Sequence, residues 1–181
     1  RYLILHLNHQ GDKKLNGLPL SVVILSFNAE KTIANCVDSV RSFDQILVVD
    51  SGSTDETGNI LSSLPITLMQ HEWLGYAKQR QMALAHCKHD WVFFLDSDEV
   101  ASESLLESIS GLLQDEQTAG ISIPIHEHFM GKANHVLTKR CSKVRIFRRS
   151  KGCIDTPRVH EGVDVDGKVA SISGAIHHYG E

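Results

Sequence analysis

Apolar residues along the chain fall into two rhythms. Leu20 to Phe27, Ile46 to Val49, Ile66 to Met69 and Trp91 to Leu95 are short runs, mostly apolar or β-branched. Such runs mark strands buried on both faces. Between them the apolar positions take helical spacing. Ile33, Cys36, Val37 and Val40 share one helical face, and a second helix runs through Ile60 and Leu61 and ends before Pro65. A third spans Tyr76 to His86, and a fourth covers Ser102 to Leu113 with Leu105, Leu106, Ile109 and Leu112 along one side. Polar residues punctuate the pattern. Asn28 is placed to cap the first helix, and Ser53 with Glu56 has capping-box spacing before the second. Strand alternating with helix predicts an α/β layer built on a mostly parallel sheet flanked by helices.

The second half changes character. Gly120 to Ile125, Val144 to Phe147, Val159 to Val165 and Val169 to Ile172 read as short strands without helices between them. They predict a C-terminal antiparallel extension and a lid. Leu3, Leu5 and Leu7 alternate like a strand, although an ordered extension fits equally well. The expected organisation is an N-terminal extension over residues 1–19 and one domain over 20–181, with a ligand-binding half at about 20–118 and a second half at about 119–181. The chain begins at Arg1 and stops at Glu181 after His177-His178-Tyr179, so it reads as a trimmed piece of a longer protein.

Composition narrows the class. A length of 181 residues suits one self-sufficient core. A net charge of -4 argues against a nucleic-acid binder. Basic residues gather at Lys139-Arg140 and from Lys143 to Lys151, as an anion-facing surface or a solvated strand edge would require. Cys36, Cys87, Cys141 and Cys153 are far apart with no C-x-x-C pair, which fits reduced thiols in a cytoplasmic protein. No apolar run approaches transmembrane length, and Tyr2 to Leu7 is too short for a signal peptide.

Asp96-Ser97-Asp98 follows the buried Trp91–Leu95 run directly. Residues two apart in an extended segment point to one side, so this spacing aims two carboxylates at one point. Like charges held that close need a cation between them, or one must protonate. A hard divalent ion carrying a diphosphate is one solution, and an acidic turn that caps the next helix is the other. Asp50 to Asp55 also follows a strand, where ligand loops of open α/β sheets lie, and Gly52 permits a tight turn there. No G-x-G-x-x-G follows the first strand, which weighs against a dinucleotide site.

Taken in order, four segments resemble the family 2 glycosyltransferases. They are Ser21-Val22-Val23-Ile24-Leu25-Ser26-Phe27-Asn28, Val48-Val49-Asp50-Ser51-Gly52-Ser53-Thr54-Asp55-Glu56-Thr57, Gly75-Tyr76-Ala77-Lys78-Gln79-Arg80-Gln81 and the D-x-D triplet Asp96-Ser97-Asp98. Trp73-Leu74-Gly75, Phe129-Met130-Gly131-Lys132, Val144-Arg145-Ile146-Phe147-Arg148-Arg149 and Val159-His160-Glu161 are similar to the lipopolysaccharide core β-glucosyltransferase subgroup. The resemblance implies a GT-A (Rossmann-like) fold and inverting transfer from a nucleotide-diphosphate sugar, such as a UDP-sugar, to a saccharide or glycolipid acceptor of lipopolysaccharide-core type. It implies a cytoplasmic enzyme, with peripheral contact at the cytoplasmic face of the inner membrane.

The resemblance also implies roles. Ser26, Asn28, Asp50, Ser51, Lys78, Arg80, Asp96 and Arg145 would bind the nucleotide sugar, with Asp50 at the base, Arg80 near the phosphates and Asp96 near the ribose or metal. Asp98 and His178 would ligate Mg²⁺ or Mn²⁺. Single-displacement inversion needs a base opposite the leaving diphosphate, and Glu161 is the candidate. Leu137-Thr138-Lys139-Arg140-Cys141 departs from the subgroup's aromatic-rich stretch, in a region that helps to build the acceptor pocket. Two other readings compete. A sugar nucleotidyltransferase would also pair carboxylates on a metal, but this chain lacks the Gly-rich basic loop such enzymes need. A non-catalytic nucleotide-sugar-binding module would keep the donor motifs alone.

Overall fold

The computed structural model describes residues 3–6, 17–129, 132–133, 141–154 and 163–180. The first described strand, β1 (Leu3–His6), pairs antiparallel with β4 (Thr67–Gln70), so Leu3 and Leu5 lie in a strand at the sheet edge, whereas Leu7 lies outside the described residues. The centre of the sheet is parallel: β4, β3 (Phe43–Asp50), β2 (Leu18–Ser26) and β5 (Trp91–Asp96) lie side by side in that order. From β2 the chain steps outward to β3 and β4, then returns to β5 on the other flank of β2. That reversal opens a crevice at the carboxyl ends of β2 and β5, where open α/β sheets bind ligands.

Continuous apolar runs are needed because both faces of these strands are covered. Leu20, Val22 and Ile24 point to one core, packed by Ile33, Cys36 and Val37 of α1 (Ile33–Ser39), Leu61 of α2 (Thr57–Ser62) and Leu105, Ile109 and Leu113 of α4 (Glu103–Gln114). Val23 and Leu25 point the opposite way, with Leu47, Val49 and Phe94, toward Ala83 of α3 (Tyr76–Leu84) and the nearby Cys87. Ser102 caps α4 by accepting from the Leu105 amide at 3.3 Å. On that helix Leu113 is buried in the core, while Leu106 and Leu112 are half-covered.

Beyond β5 the sheet continues through β9 (Cys141–Arg148), β7 (Thr118–Phe129), β13 (Ile176–Gly180) and β6 (Glu99–Ala101). Short β8 (Lys132–Ala133) and β12 (Lys168–Ser171) also pair with β7, and β10 (Gly152–Ile154) with β11 (Val163–Val165) forms a separate hairpin. The expected antiparallel extension is antiparallel only in part. β9 runs against β5 and β7, but β12 and β13 run parallel to β7. Neither β6 nor β13 was legible as a strand: each is short and lacks an apolar run, and each is held by pairing with distant segments. Residues 159–162 of the expected 159–165 strand lie outside the described residues, whereas Val163–Val165 forms β11. No helix among the described residues is long and apolar enough to cross a membrane.

The two expected helix caps are used differently. Thr32 and Glu56 occupy the N-cap positions of α1 and α2, without side-chain caps. Asn28, at φ 48°, instead accepts from the Thr54 amide through Oδ1 at 2.8 Å, and Ser53 Oγ accepts from the Asn28 amide at 2.9 Å. Ala29 and Glu30 amides donate to Thr57 Oγ1 and Asp55 Oδ2, and the Glu56 amide donates to Glu30. These residues stitch the loop after β2 to the loop after β3. Short-range spacing suggested caps, but the adjacent parallel strand ends bring the loops close enough for the polar groups to satisfy each other.

Gly174 controls the approach to β13. Its φ is +96°, and a Cβ there would sit 2.4 Å from the Leu105 amide nitrogen. Gly174→Ala therefore combines an unfavourable dihedral with a clash against helix backbone. It should lower unfolding free energy by about 2–4 kcal/mol, measured by urea denaturation followed by circular dichroism.

Candidate active site

Strand register places three polar strand ends together. Leu25 pairs with Asp96, and Ser26 pairs with Asp50. Above them lies a cleft of about 820 Å³. Ser26 and Ser51 line it on one side, and Asp96, Ser97, Asp98 and His178 on the other. Phe27, Trp73 and Tyr76 form an exposed aromatic lip, with the Trp73 and Tyr76 rings edge-on at 4.7 Å. The hydroxyl of Ser26 is buried with no hydrogen-bond partner among the described residues, which suits a floor that completes its hydrogen bonding with a ligand.

Asp96 is held by two guanidinium groups. Arg80 reaches Oδ1 at 3.1 Å, and Arg145 reaches Oδ2 at 3.3 Å through both terminal nitrogens. Arg145 also meets Glu99 Oε1 at 2.5 Å, and Glu99 Oε2 accepts the Asp96 amide at 2.9 Å. Burial works to raise the pKa of Asp96, but Arg145 and then Arg80 outweigh it and hold the carboxyl below its ordinary value. Glu99 goes the other way. Burial is the main cause and the charge of Asp96 adds to it. Together they outweigh Arg145 and push the group up to about 7.

Asp98 faces a different partner. Its Oδ2 lies 3.0 Å from Nε2 of His178, whose Nδ1 lies 2.6 Å from Glu127 Oε2. Burial opposes charge on His178, but the Glu127 hydrogen bond and the charge of Asp98 prevail, and its pKa is raised. Backbone pairing fixes this contact: the Tyr179 amide donates to the Asp98 carbonyl at 2.9 Å. Two adjacent ligands at right angles, each about 2.1 Å from one ion, are about 3.0 Å apart. Asp98 and His178 fit that spacing. Among the described residues no three His, Cys, Asp or Glu side chains converge on one metal position. The pair thus fits a hard cation whose shell is completed by phosphate and water.

A family model described as glycosyl transferase family 2 matches residues 21–164. The chain belongs to this family. It is 34% identical over 173 residues to the lipopolysaccharide core biosynthesis glycosyltransferase LpsC of Rhizobium meliloti, covering 90% of this chain and 63% of that protein. The chain spans about three fifths of the length of the curated relatives it matches. Among solved structures, S. aureus TarS with UDP-GlcNAc superposes with TM-score 0.54 at 23% identity, over 67% of this chain and 37% of that one. The mannosyltransferase PcManGT from Pyrobaculum calidifontis, with GDP-Man and Mn²⁺, superposes with TM-score 0.53 at 23% identity, over 62% and 37%. These likenesses show the fold, which is GT-A.

Within this family 2 domain the predicted site residues fall into three groups. Ser26, Ser51, Arg80, Asp96, Asp98 and His178 meet at the cleft. Asp50, Asn28, Lys78 and Arg145 do not line it. Asp50 is buried and turns into its own loop, accepting from the Gly52 and Ser53 amides and from Ser53 Oγ. Lys78 is exposed on α3, and Arg145 is buried behind Asp96. Glu161, with Val159-His160, lies outside the described residues.

One expectation needs correction. Among the described residues Asp96 and Asp98 have different partners: Asp96 ends β5 and Asp98 lies in the turn, so two-residue alternation stops between them. Asp96 is paired with Arg80 and Arg145, whereas Asp98 faces His178. Three arginines of the basic cluster, Arg145, Arg148 and Arg149, have structural partners. Arg148 lies over the Trp91 ring at 4.5 Å, and Arg149 donates to the Leu84 and Cys87 carbonyls at the end of α3. Glu99, Glu127 and Gln79, whose amide reaches Ser51 Oγ at 3.2 Å, escaped sequence reasoning. The acid directly after Asp98 and the His126-Glu127-His128 alternation were the available signals.

The raised pKa of Glu99 fixes a sign. The folded carboxyl holds its proton up to about pH 7, whereas its unfolded form ionises near its ordinary value of 4.5. The unfolded state therefore binds fewer protons between these values, and stability falls as pH rises through that window. Unfolding free energy measured by urea titration at pH 4.5 to 8 should drop from this group by an amount on the order of 1–3 kcal/mol, and Glu99→Gln should flatten the slope.

Proposed function

We propose that this chain binds a UDP-sugar with Mg²⁺ or Mn²⁺ and transfers the sugar, with inversion, to a saccharide or glycolipid acceptor of lipopolysaccharide-core type at the cytoplasmic face of the inner membrane. The observation that carries this reading is the Asp98–His178 pair, 3.0 Å apart in the switch-point cleft that Ser51 and Arg80 also line. The UDP-GlcNAc and GDP-Man–Mn²⁺ complexes of the fold neighbours support a nucleotide-sugar donor and a divalent cation. The name of the Rhizobium relative supports the acceptor class.

Each residue then has a task. Asp98 and His178 would hold the cation, which when bound would supply positive charge against the departing diphosphate. Arg80 is tied to Asp96 and lies 5.3 Å from the Phe94 ring centroid and 5.7 Å from that of Tyr76. It brings fixed positive charge to the cleft wall, where phosphate charge builds up. Ser26 and Ser51 offer hydroxyls to the nucleoside. Asp50 and Asn28 act through the loops they brace, Arg145 acts through Asp96, and Lys78 stands on the exposed side of α3. Glu161 takes the acceptor hydroxyl proton as that oxygen bonds to the anomeric carbon and the bond from the anomeric carbon to the diphosphate oxygen breaks.

Two measurements test the reading. Calorimetric titration of UDP in the presence of Mn²⁺ should show binding, and Asp98→Ala should weaken it by about tenfold or more. Equal affinity in the variant would remove Asp98 from the metal site. Glu161→Gln should keep donor binding but cut turnover by about 10²–10⁴-fold; unchanged turnover would exclude it as the base.

A further inference from the structure

His178 is gripped from two sides by the sheet. In β7 and β13, which run parallel, Glu127 stands opposite His178. In β13 and β6, which run antiparallel, His178 stands opposite Glu99, next to Asp98. Side chains alternate along β13, so His177 and Tyr179 point to the other face, where His128 stacks on Tyr179 and its Nε2 lies 2.8 Å from Nδ1 of His177. His178 shares its own face with Glu127 and Asp98.

A neutral imidazole carries one N–H, and the group bonded to one nitrogen decides which lone pair is left for a metal. We propose that Glu127 is a positioning residue: its carboxylate accepts the Nδ1 proton of His178 and so turns the Nε2 lone pair toward Asp98 and the cation. The Nδ1 contact with Glu127 is the shorter, 2.6 Å against 3.0 Å for the Nε2 contact with Asp98, so the neutral ring keeps its proton on Nδ1, and a cation between Nε2 and Asp98 would take the place of the hydrogen bond there. A carboxylate behind a ligating histidine fixes both its tautomer and its ring orientation. Without Glu127 the ring is free to rotate or to carry its proton on Nε2, and either change withdraws a ligand. The inference rests on the donor-and-metal reading above, but it concerns a residue that touches neither the nucleotide nor the cation.

Three proteins decide it: the parent chain, Glu127→Ala and Glu127→Gln. Mn²⁺ is titrated into each with saturating UDP by calorimetry. The tautomer of His178 is read in the metal-free protein by long-range ¹H–¹⁵N imidazole spectra at alkaline pH, where the ring is neutral. The parent should show the Nδ1–H form. Glu127→Ala should lose that preference and weaken Mn²⁺ about 10–100-fold, while glutamine, whose Oε1 still accepts, should recover most of the affinity. A merely structural role for Glu127 would lower the melting temperature and leave tautomer and Mn²⁺ affinity unchanged, which would overturn the proposal. So would an Nε2–H tautomer in the parent. If the parent binds UDP and Mn²⁺ tightly and Glu127→Ala does so equally, only the role of Glu127 falls. If the parent binds no Mn²⁺ with UDP, the functional reading falls and takes this one with it.

Discussion

Two guanidinium groups and two carboxylates packed where β5 leaves the sheet hold the rest of the site in place. Arg80 comes from α3, Arg145 from β9, Asp96 from the end of β5 and Glu99 from the start of β6. Buried charges are costly unless each is paired and hydrogen-bonded. This cluster meets that condition largely by drawing partners from four elements, so it forms only when all four are correctly placed. It therefore reports on tertiary structure rather than on local propensity. Its output is the acidic turn: with Asp96 locked and its amide tied to Glu99, Asp98 can face only outward, to His178.

The same cluster joins the two halves of the sheet. The parallel half supplies the strand ends and loops with Ser26 and Ser51, and the mixed half supplies His178, Glu127 and Arg145. The cleft lies on the seam. Rigidity on the parallel side comes from side chain-to-backbone hydrogen bonds between the loops after β2 and β3, where Asn28, Ser53, Asp55 and Thr57 all take part. Those residues look like a string of helix-capping signals when read singly, and as a pair of loops they form a brace.

What could be read in advance followed the range of each interaction. The parallel strands were legible because burial on both faces forces unbroken runs such as Val22 to Leu25. The cleft-lining Asp98 and His178 were legible through motif resemblance. The divergent partners of Asp96 and Asp98 were not, because they depend on where an extended segment becomes a turn, and on arginines 16 and 49 residues away. β6 and β13 were hidden for a related reason: neither has an apolar rhythm, and pairing across about 80 residues stabilises both. The His126-Glu127-His128 alternation hints at Glu127, but its partner His178 emerges only once β7 and β13 are in register.

The chain has two tryptophans, in opposite settings. Trp91 is sealed in the core with its indole nitrogen donating to the Leu113 carbonyl, whereas Trp73 is 48% exposed on the cleft lip. Their fluorescence is therefore separable by colour and by access to quenchers. Light from the wet indole follows traffic through the opening, and light from the dry one follows the integrity of the fold. The molecule carries its own pair of optical gauges, one for occupancy and one for folding, without any label.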